Sequence, residues 1–271
     1  MIHTTRPERL ILYTRPDLLV VFRRDVIAAP HRHHAIQLTV GLEAPVQAQI
    51  QGMTTTANGF LIDRDTLHAV VGQDGWVATL LLNPETPRAR SLRAQRLHGI
   101  PIAPLAPTLA QTLADLLSPL HQHQADCPSL GAIVGQLWEH LLDNTNDVGP
   151  IDQRIADAIA AIQSEYDIPQ RLAELATTVA LSPGRFGHLF SAEVGLPLRR
   201  YLRWQRLLGA LDQIASGETF TVAAHAAGFS DSAHLSRTFR EMFGLSLSTL
   251  LTPHTPRWIW QYPGSETSRA E

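Results

Sequence analysis

Two segments decide how this chain is read: LATTVALSPGRFGHLFSAEVGLPLRRYL, residues 175–202, and AAHAAGFSDSAHLSRTFREMFGLSLSTLL, residues 223–251. Laid over one another, with one extra residue in the second copy's turn, they match Phe190 with Phe239, Gly195 with Gly244, Leu196 with Leu245 and Leu198 with Leu247. An internal repeat of this size is one supersecondary unit used twice. Each copy has the form of a short helix, a tight turn and a second helix. In the first, Ser182 is a good N-cap and Pro183 a good first helical residue, Phe186, Leu189, Phe190 and Val194 fall on one face, and Gly195 suits the left-handed stop. In the second, Gly228 permits the turn, Ser230 or Asp231 caps, Leu235, Phe239 and Phe243 face inward, and Gly244 terminates. The segment between them, RRYLRWQRLLGALDQIASG (199–217), reads as one long helix that packs through Leu202, Leu207 and Leu211. A rod of that length can hold two recognition helices roughly one duplex turn, ~34 Å, apart.

Working outward, polar DNTNDVGP (143–150) reads as a linker, and before it the pattern changes. Between residues 105 and 142 two amphipathic helices are predicted, broken around ADCPS, with Leu109, Leu113, Leu116, Leu117 and Leu120 on one stripe and Ile133, Val134, Leu137 and Leu141 on the next. These helices can pair two chains or pack on their own domain. From Leu10 to Leu82 the apolar residues come in short runs, LLVVF, IQLTV, FLI and WVATLLL, separated by Pro, Gly, Asn and Asp, the signature of strands in a small barrel or sandwich. The expected architecture is therefore α+β in two domains. It comprises a β domain over 1–104, a helical dimerisation segment over 105–142, a linker over 143–150, an all-α double helix-turn-helix over 151–252 (with the motifs at 171–194 and 221–243), and a tail over 253–271.

Composition narrows the chemistry. The chain has 25 acidic and 22 basic residues, so no overall positive field advertises nucleic-acid binding, and residues 152–252 alone hold nine arginines against ten acids. Every basic residue is arginine. The absence of lysine excludes Schiff-base catalysis and the phosphate-loop lysine of nucleotide binders. Cys127 is the only cysteine, which excludes an internal disulfide and a multi-thiolate metal site. No apolar run approaches the ~18 residues of a membrane span, and the N-terminal stretch lacks an uninterrupted signal core, so a cytoplasmic protein without membrane contact is expected.

The helical half, Asp152 to Thr252, resembles the AraC/XylS family of bacterial transcription regulators, most specifically over GFSDSAHLSRTFREMFGLSLSTLL. The resemblance implies a regulator that binds double-stranded promoter DNA, often as a homodimer, with an N-terminal cupin-like barrel that senses an effector, and with RNA polymerase as a partner if it activates. Carried over by position, the base-facing places of the first recognition helix fall on Gly184, Gly187 and His188 with Arg185 beside them. Those of the second fall on Ser232, Ala233, Ser236 and Arg237. Two glycines supply no donors and cost roughly 1 kcal/mol each against alanine, so the first helix is expected to read less. Arg237, whose fork can pair with guanine, is the best candidate for direct readout. Arg199, Arg200, Arg203, Arg206 and Arg240 are expected either to touch phosphates or to lie on solvated helix faces.

PHRHHAIQL, residues 30–38, crowds three histidines and an arginine into four positions. On a strand His31, His33 and Gln37 would share a wall and His34 would point away. The HxHxxxQ spacing resembles the first cupin motif, with glutamine in the acidic place, and His68 falls where the second motif supplies its histidine. The implied site is His31, His33, Gln37 and His68 around one divalent transition metal, Zn, Ni or Fe. The alternatives are a metal-free pocket for a small organic effector, or histidines bonded within the barrel. A cupin-type oxygenase or isomerase fused to a DNA-binding module is the competing function, and Gln37 in place of a carboxylate argues against it. His121 and His123, flanking a helix in LHQHQ, are expected to be solvated.

Overall fold

The computed structural model of the chain describes residues 10–15, 17–122, 127–143, 148–164, 172–250 and 257–261. It divides into two compact units, one made of residues 1–146 and 243–271 and the other of 147–242.

The first unit is a nearly closed, almost wholly antiparallel β-barrel. Its strands are β1 (Leu10–Arg15), β2 (Leu18–His31), β3 (Ile36–Gly41), β4 (Val46–Ile50), β5 (Met53–Ala57), β6 (Gly59–Ile62), β7 (His68–Leu82), β8 (Ile102–Pro104) and β9 (Arg257–Gln261). They run in the order β8-β6-β3-β7-β2-β1-β9, with β4 paired to β7 and β5. β9 lies in the stretch read from sequence as a tail, and it pairs with β1 in parallel. The long β7 is the spine. One edge follows β2 along its length, while the other serves β4 from His68 to Gly72 and β3 from Val77 to Leu82. The change of partner needs a corner, built from Gly72, Gly75 and the left-handed Asp74 (φ 65°). A Cβ on Gly72 would stand 2.4 Å from Val77 Cγ2, so no other residue fits there without displacement.

Helices α1 (Pro87–Leu92), α2 (Pro107–His121) and α3 (Cys127–Leu141) complete the unit, with a π-helical turn at Arg93–Leu97 after α1. β3 is covered on both faces and buried almost throughout, and its alternation sorts apolar side chains to one side and Gln37 and Thr39 to the other. Ile36, Leu38 and Val40 pack with Leu113, Leu117, Leu137 and Trp138 of α2 and α3. Gln37 and Thr39 are therefore turned by strand alternation to the opposite face. Phe60 and Ile62 of β6 join Val26, Val46, Val70 and Val77 in a separate apolar cluster. The apolar stripes of α2 and α3 are thus spent on their own barrel. His121, expected in solvent, is instead buried at the end of α2, 5.4 Å in ring separation from Trp76 and 6.1 Å from Phe22. His123 lies outside the described residues.

The second unit is helical: α4 (Gln153–Ser164), α5 (Leu172–Thr178), α6 (Pro183–Val194), α7 (Leu198–Ala215), α8 (Phe220–Ala226) and α9 (Ser232–Phe243), followed by α10 (Leu247–Leu250), which counts with the first unit. α5–α6 and α8–α9 are the two copies of the repeat. The cap of α6 is as expected: the Ser182 hydroxyl accepts from Arg185 N–H, and Gly195 is left-handed at φ 82°. For α9 Asp231 is the capping acceptor, bonded by His234 N–H at 2.6 Å. That bond, first of all, holds the Asp231 carboxyl below its usual range. Phe186, Phe190, Val194 and Tyr201 pack with Ile155 and Ile159 of α4, and Leu235 and Phe239 are buried in the second copy.

Candidate functional site

The histidine cluster is built by a corner rather than by one continuous strand. His31 closes β2, residues 32–35 turn, and Gln37 is already on β3, while His68 opens β7 directly opposite His31 in the ladder. His33 therefore reaches the cluster from a turn, and the strand alternation expected for 31–37 does not apply there. All four side chains are nevertheless brought together and buried. Ring centroids lie 4.2 Å apart for His31 and His68, 5.3 Å for His33 and His68, and 5.6 Å for His31 and His33. His34 points away, and its Nε2 meets the buried Glu85 carboxylate at 2.6 Å.

The hydrogen bonds assign the tautomers. His31 Nδ1 faces the Ala29 carbonyl at 2.8 Å, His33 Nδ1 the Ala35 carbonyl at 3.1 Å and His68 Nδ1 the Thr66 carbonyl at 2.8 Å. A carbonyl only accepts, so each Nδ1 carries the proton and, in a neutral ring, each Nε2 presents a lone pair. The rings are held neutral. Burial first, then the neighbouring imidazoles, push His68 down to about 2 and His33 down to about 4, and burial also lowers His31. This is the arrangement that orients imidazoles for a metal, with backbone carbonyls fixing the far nitrogen.

Gln37 completes the set. Its Oε1 lies 2.9 Å from His33 Nε2 and 3.2 Å from His68 Nε2, while its Nε2 donates to Thr39 Oγ1 at 2.9 Å. With metal–nitrogen bonds of ~2.0–2.1 Å, neighbouring donors on one ion stand roughly 2.9–3.4 Å apart. The Gln37 contacts fall in that range, and the three histidines offer ligand nitrogens within 4.8 Å of one another. The buried His31, His33 and His68 triad in the barrel could thus bind a metal. Thr39 was not singled out from sequence, although the two-residue period of a strand puts it beside Gln37.

In the helical unit, α9 exposes Ala233, Arg237 and Arg240, spaced i, i+4 and i+7, over buried Leu235, Thr238 and Phe239. Ser232 and Ser236 are half-buried, and the Ser236 hydroxyl is spent on the Ser232 carbonyl. On α6, Gly184, Arg185 and His188 are exposed and Gly187 is half-buried. Of the connector arginines, Arg199 and Arg200 are exposed. Arg203 is engaged inside the unit: its guanidinium donates to Glu241 and to the hydroxyl of buried Thr238, tying α7 to α9. Arg206 lies over the turn of the second copy, its Nε 3.7 Å from where a Cβ on left-handed Gly228 would be.

Residues 175–252 match the family model of a helix-turn-helix domain. The HTH-type transcriptional activator RhaS of Pectobacterium carotovorum subsp. carotovorum (strain PC1) is 29% identical over 135 residues, 47% of this chain and 48% of its own. The chain thus spans about half the length of this curated relative. ToxT from Vibrio cholerae O395 shares the fold across both units, with a TM-score of 0.59 at 10% identity over 88% of this chain and 100% of that one. ToxT of strain SCE256, solved with an unsaturated fatty acid bound, superposes with a TM-score of 0.56 at 13% identity, over 88% and 97%. The fold and the matched motif together define a helix-turn-helix protein with an N-terminal β-barrel. Within that class the chain is similar to an HTH-type transcriptional activator, RhaS, over about half of its length. Among the described residues no helix is long and apolar enough to cross a membrane.

Proposed function

We propose that the protein is a one-component, sequence-specific transcription regulator in which α6 and α9 enter successive major grooves of promoter DNA while the barrel binds the effector. The observation that carries the DNA reading is the face of α9, where Arg237 and Arg240 stand in solvent directly above the buried positions that define the motif. The site comprises Gly184, Arg185, Gly187 and His188 on α6 and Ser232, Ala233, Ser236, Arg237 and Arg240 on α9. The protein acts in the cytoplasm, as a homodimer joined through the outward faces of α2 and α3, which carry Gln111, Asp115, Glu139 and His140, and it contacts RNA polymerase where it activates. Selection of duplexes from a random pool by the purified protein tests this. Recovered sites should carry two conserved blocks one helical turn apart, and recovery without sequence preference would refute it.

The effector is a divalent transition metal, Zn, Ni or Fe, held by His31, His33 and His68 with Gln37 as the fourth donor. When bound, the ion supplies a fixed charge and a geometric demand on three strands at once. What supports it is that three backbone carbonyls fix the proton on each Nδ1, which leaves each Nε2 with a lone pair. Protein purified from supplemented medium should carry close to one equivalent of metal, absent in a His31→Ala, His33→Ala double variant. Metal-free wild type would instead favour a small organic effector, of the kind represented by the fatty acid in the ToxT structure.

A further inference from the structure

We propose that the Gln37 carboxamide is a two-position switch that makes metal binding at the triad reversible, a reading that rests on the triad being a metal site. The argument starts from an electrostatic conflict. Gln37 Oε1 is an acceptor, and it faces His33 Nε2 and His68 Nε2, which are also acceptors because their Nδ1 atoms hold the protons. Three lone-pair atoms converging in a buried site repel one another unless a cation lies between them. With the amide oxygen inward, the donor set is complete only around an ion.

Without the ion, a half-turn of the carboxamide resolves the conflict. The NH2 group then donates to His33 Nε2 and His68 Nε2, and the oxygen accepts from the Thr39 hydroxyl, which now serves as donor. Thr39 Oγ1 lies 2.9 Å from the Gln37 nitrogen, is fully buried, and as a hydroxyl can partner either end of the amide. Both positions give the amide oxygen, the amide nitrogen and the Thr39 hydroxyl a partner, so neither the loaded nor the empty state strands the Gln37–Thr39 pair.

Glutamine and glutamate therefore differ in more than charge at this place. A carboxylate would have no hydrogen to offer the imidazoles in the metal-free state and would add a negative charge to the loaded one, so it would favour a permanent cofactor. The amide weakens the hold on the ion and gives the empty site its own hydrogen bonds, as a sensor requires. Gln37 acts as a ligand in one position and a lock on the histidines in the other.

The test uses the full chain labelled with 15N-glutamine, loaded with Zn(II) or stripped by chelator. The Gln37 side-chain NH2 pair is identified by its loss in Gln37→Met. Loading should move that pair, and competition with a chromogenic chelator should find Zn(II) held about 10–100-fold more weakly by Gln37→Met and at least about tenfold more tightly by Gln37→Glu. The metal-free form of Gln37→Glu should also melt below wild type and recover on loading. If Zn(II) binds wild type while the NH2 pair stays still and both variants hold Zn(II) as wild type does, the switch is wrong and the metal site stands. If wild type takes up neither Zn, Ni nor Fe(II), the metal reading itself falls, and the switch with it.

Discussion

The two helix-turn-helix copies carry the same scaffold and opposite surfaces. Their buried positions correspond, Phe190 to Phe239 and Leu198 to Leu247, and both second helices are stopped by a left-handed glycine, Gly195 and Gly244. Their exposed faces have diverged. α9 presents two arginines and is anchored from behind by Arg203, whereas α6 presents Arg185 and His188 beside Gly184 and Gly187. Neither glycine is demanded by packing. A Cβ on Gly184 would meet nothing within 4 Å, and one on Gly187 only Leu172 Cδ1 at an ordinary 3.8 Å. The difference teaches that the interior fixes the motif while the outer face is free to change, and the proposed function assigns sequence discrimination to the second copy.

Three experiments can break or sharpen that contrast. The largest effect is expected at Arg237: Arg237→Ala should lose about 1–3 kcal/mol on the preferred duplex and far less on random duplex, whereas the same change at Arg185 should weaken both alike. Equal losses for Arg237→Ala on the two duplexes would make it a phosphate contact and erase the asymmetry. Next, Gly184→Ala with Gly187→Ala should raise stability by about 1–2 kcal/mol, seen as a higher melting temperature, since helix propensity improves and no clash arises. An unchanged or lower melting temperature would mean that the glycines have a packing role in the fold. The smallest effect is at Arg203, whose partly exposed partnership with Glu241 is worth no more than about 1 kcal/mol. Arg203→Met should lower urea stability slightly and leave the salt slope of DNA binding unchanged. A slope reduced by about one at unaltered stability would return Arg203 to the phosphates.

What was legible in the sequence was whatever repeats or alternates locally. The doubled motif, its glycine stops and the capping role of Ser182 could be read from spacing alone, as could the short strands of the β domain. The histidines were found by their density, but their geometry was not, because a turn interrupts the alternation between His31 and Gln37. Features that depend on partners distant in sequence were missed. His34 meets Glu85 across 51 positions, Arg203 meets Glu241 across 38, and His121 was read as solvated because its neighbours are polar while Trp76 and Phe22 come from remote strands. Thr39 carries no local signal, because a threonine suits any strand and its role depends on the amide two residues earlier.

The long strand β7 has a consequence for how the protein is made. Among the described residues, β2 beyond Phe22 and β4 apart from its hairpin with β5 take their ladder partners from His68–Leu82. While the ribosome is still building the first sixty-odd residues, those backbone edges stand open and can pair with strangers. Emergence of that one segment gives both strands their ladder partner, so a pause in translation before it should favour aggregation more than a pause after it, when the β1 edge still awaits β9.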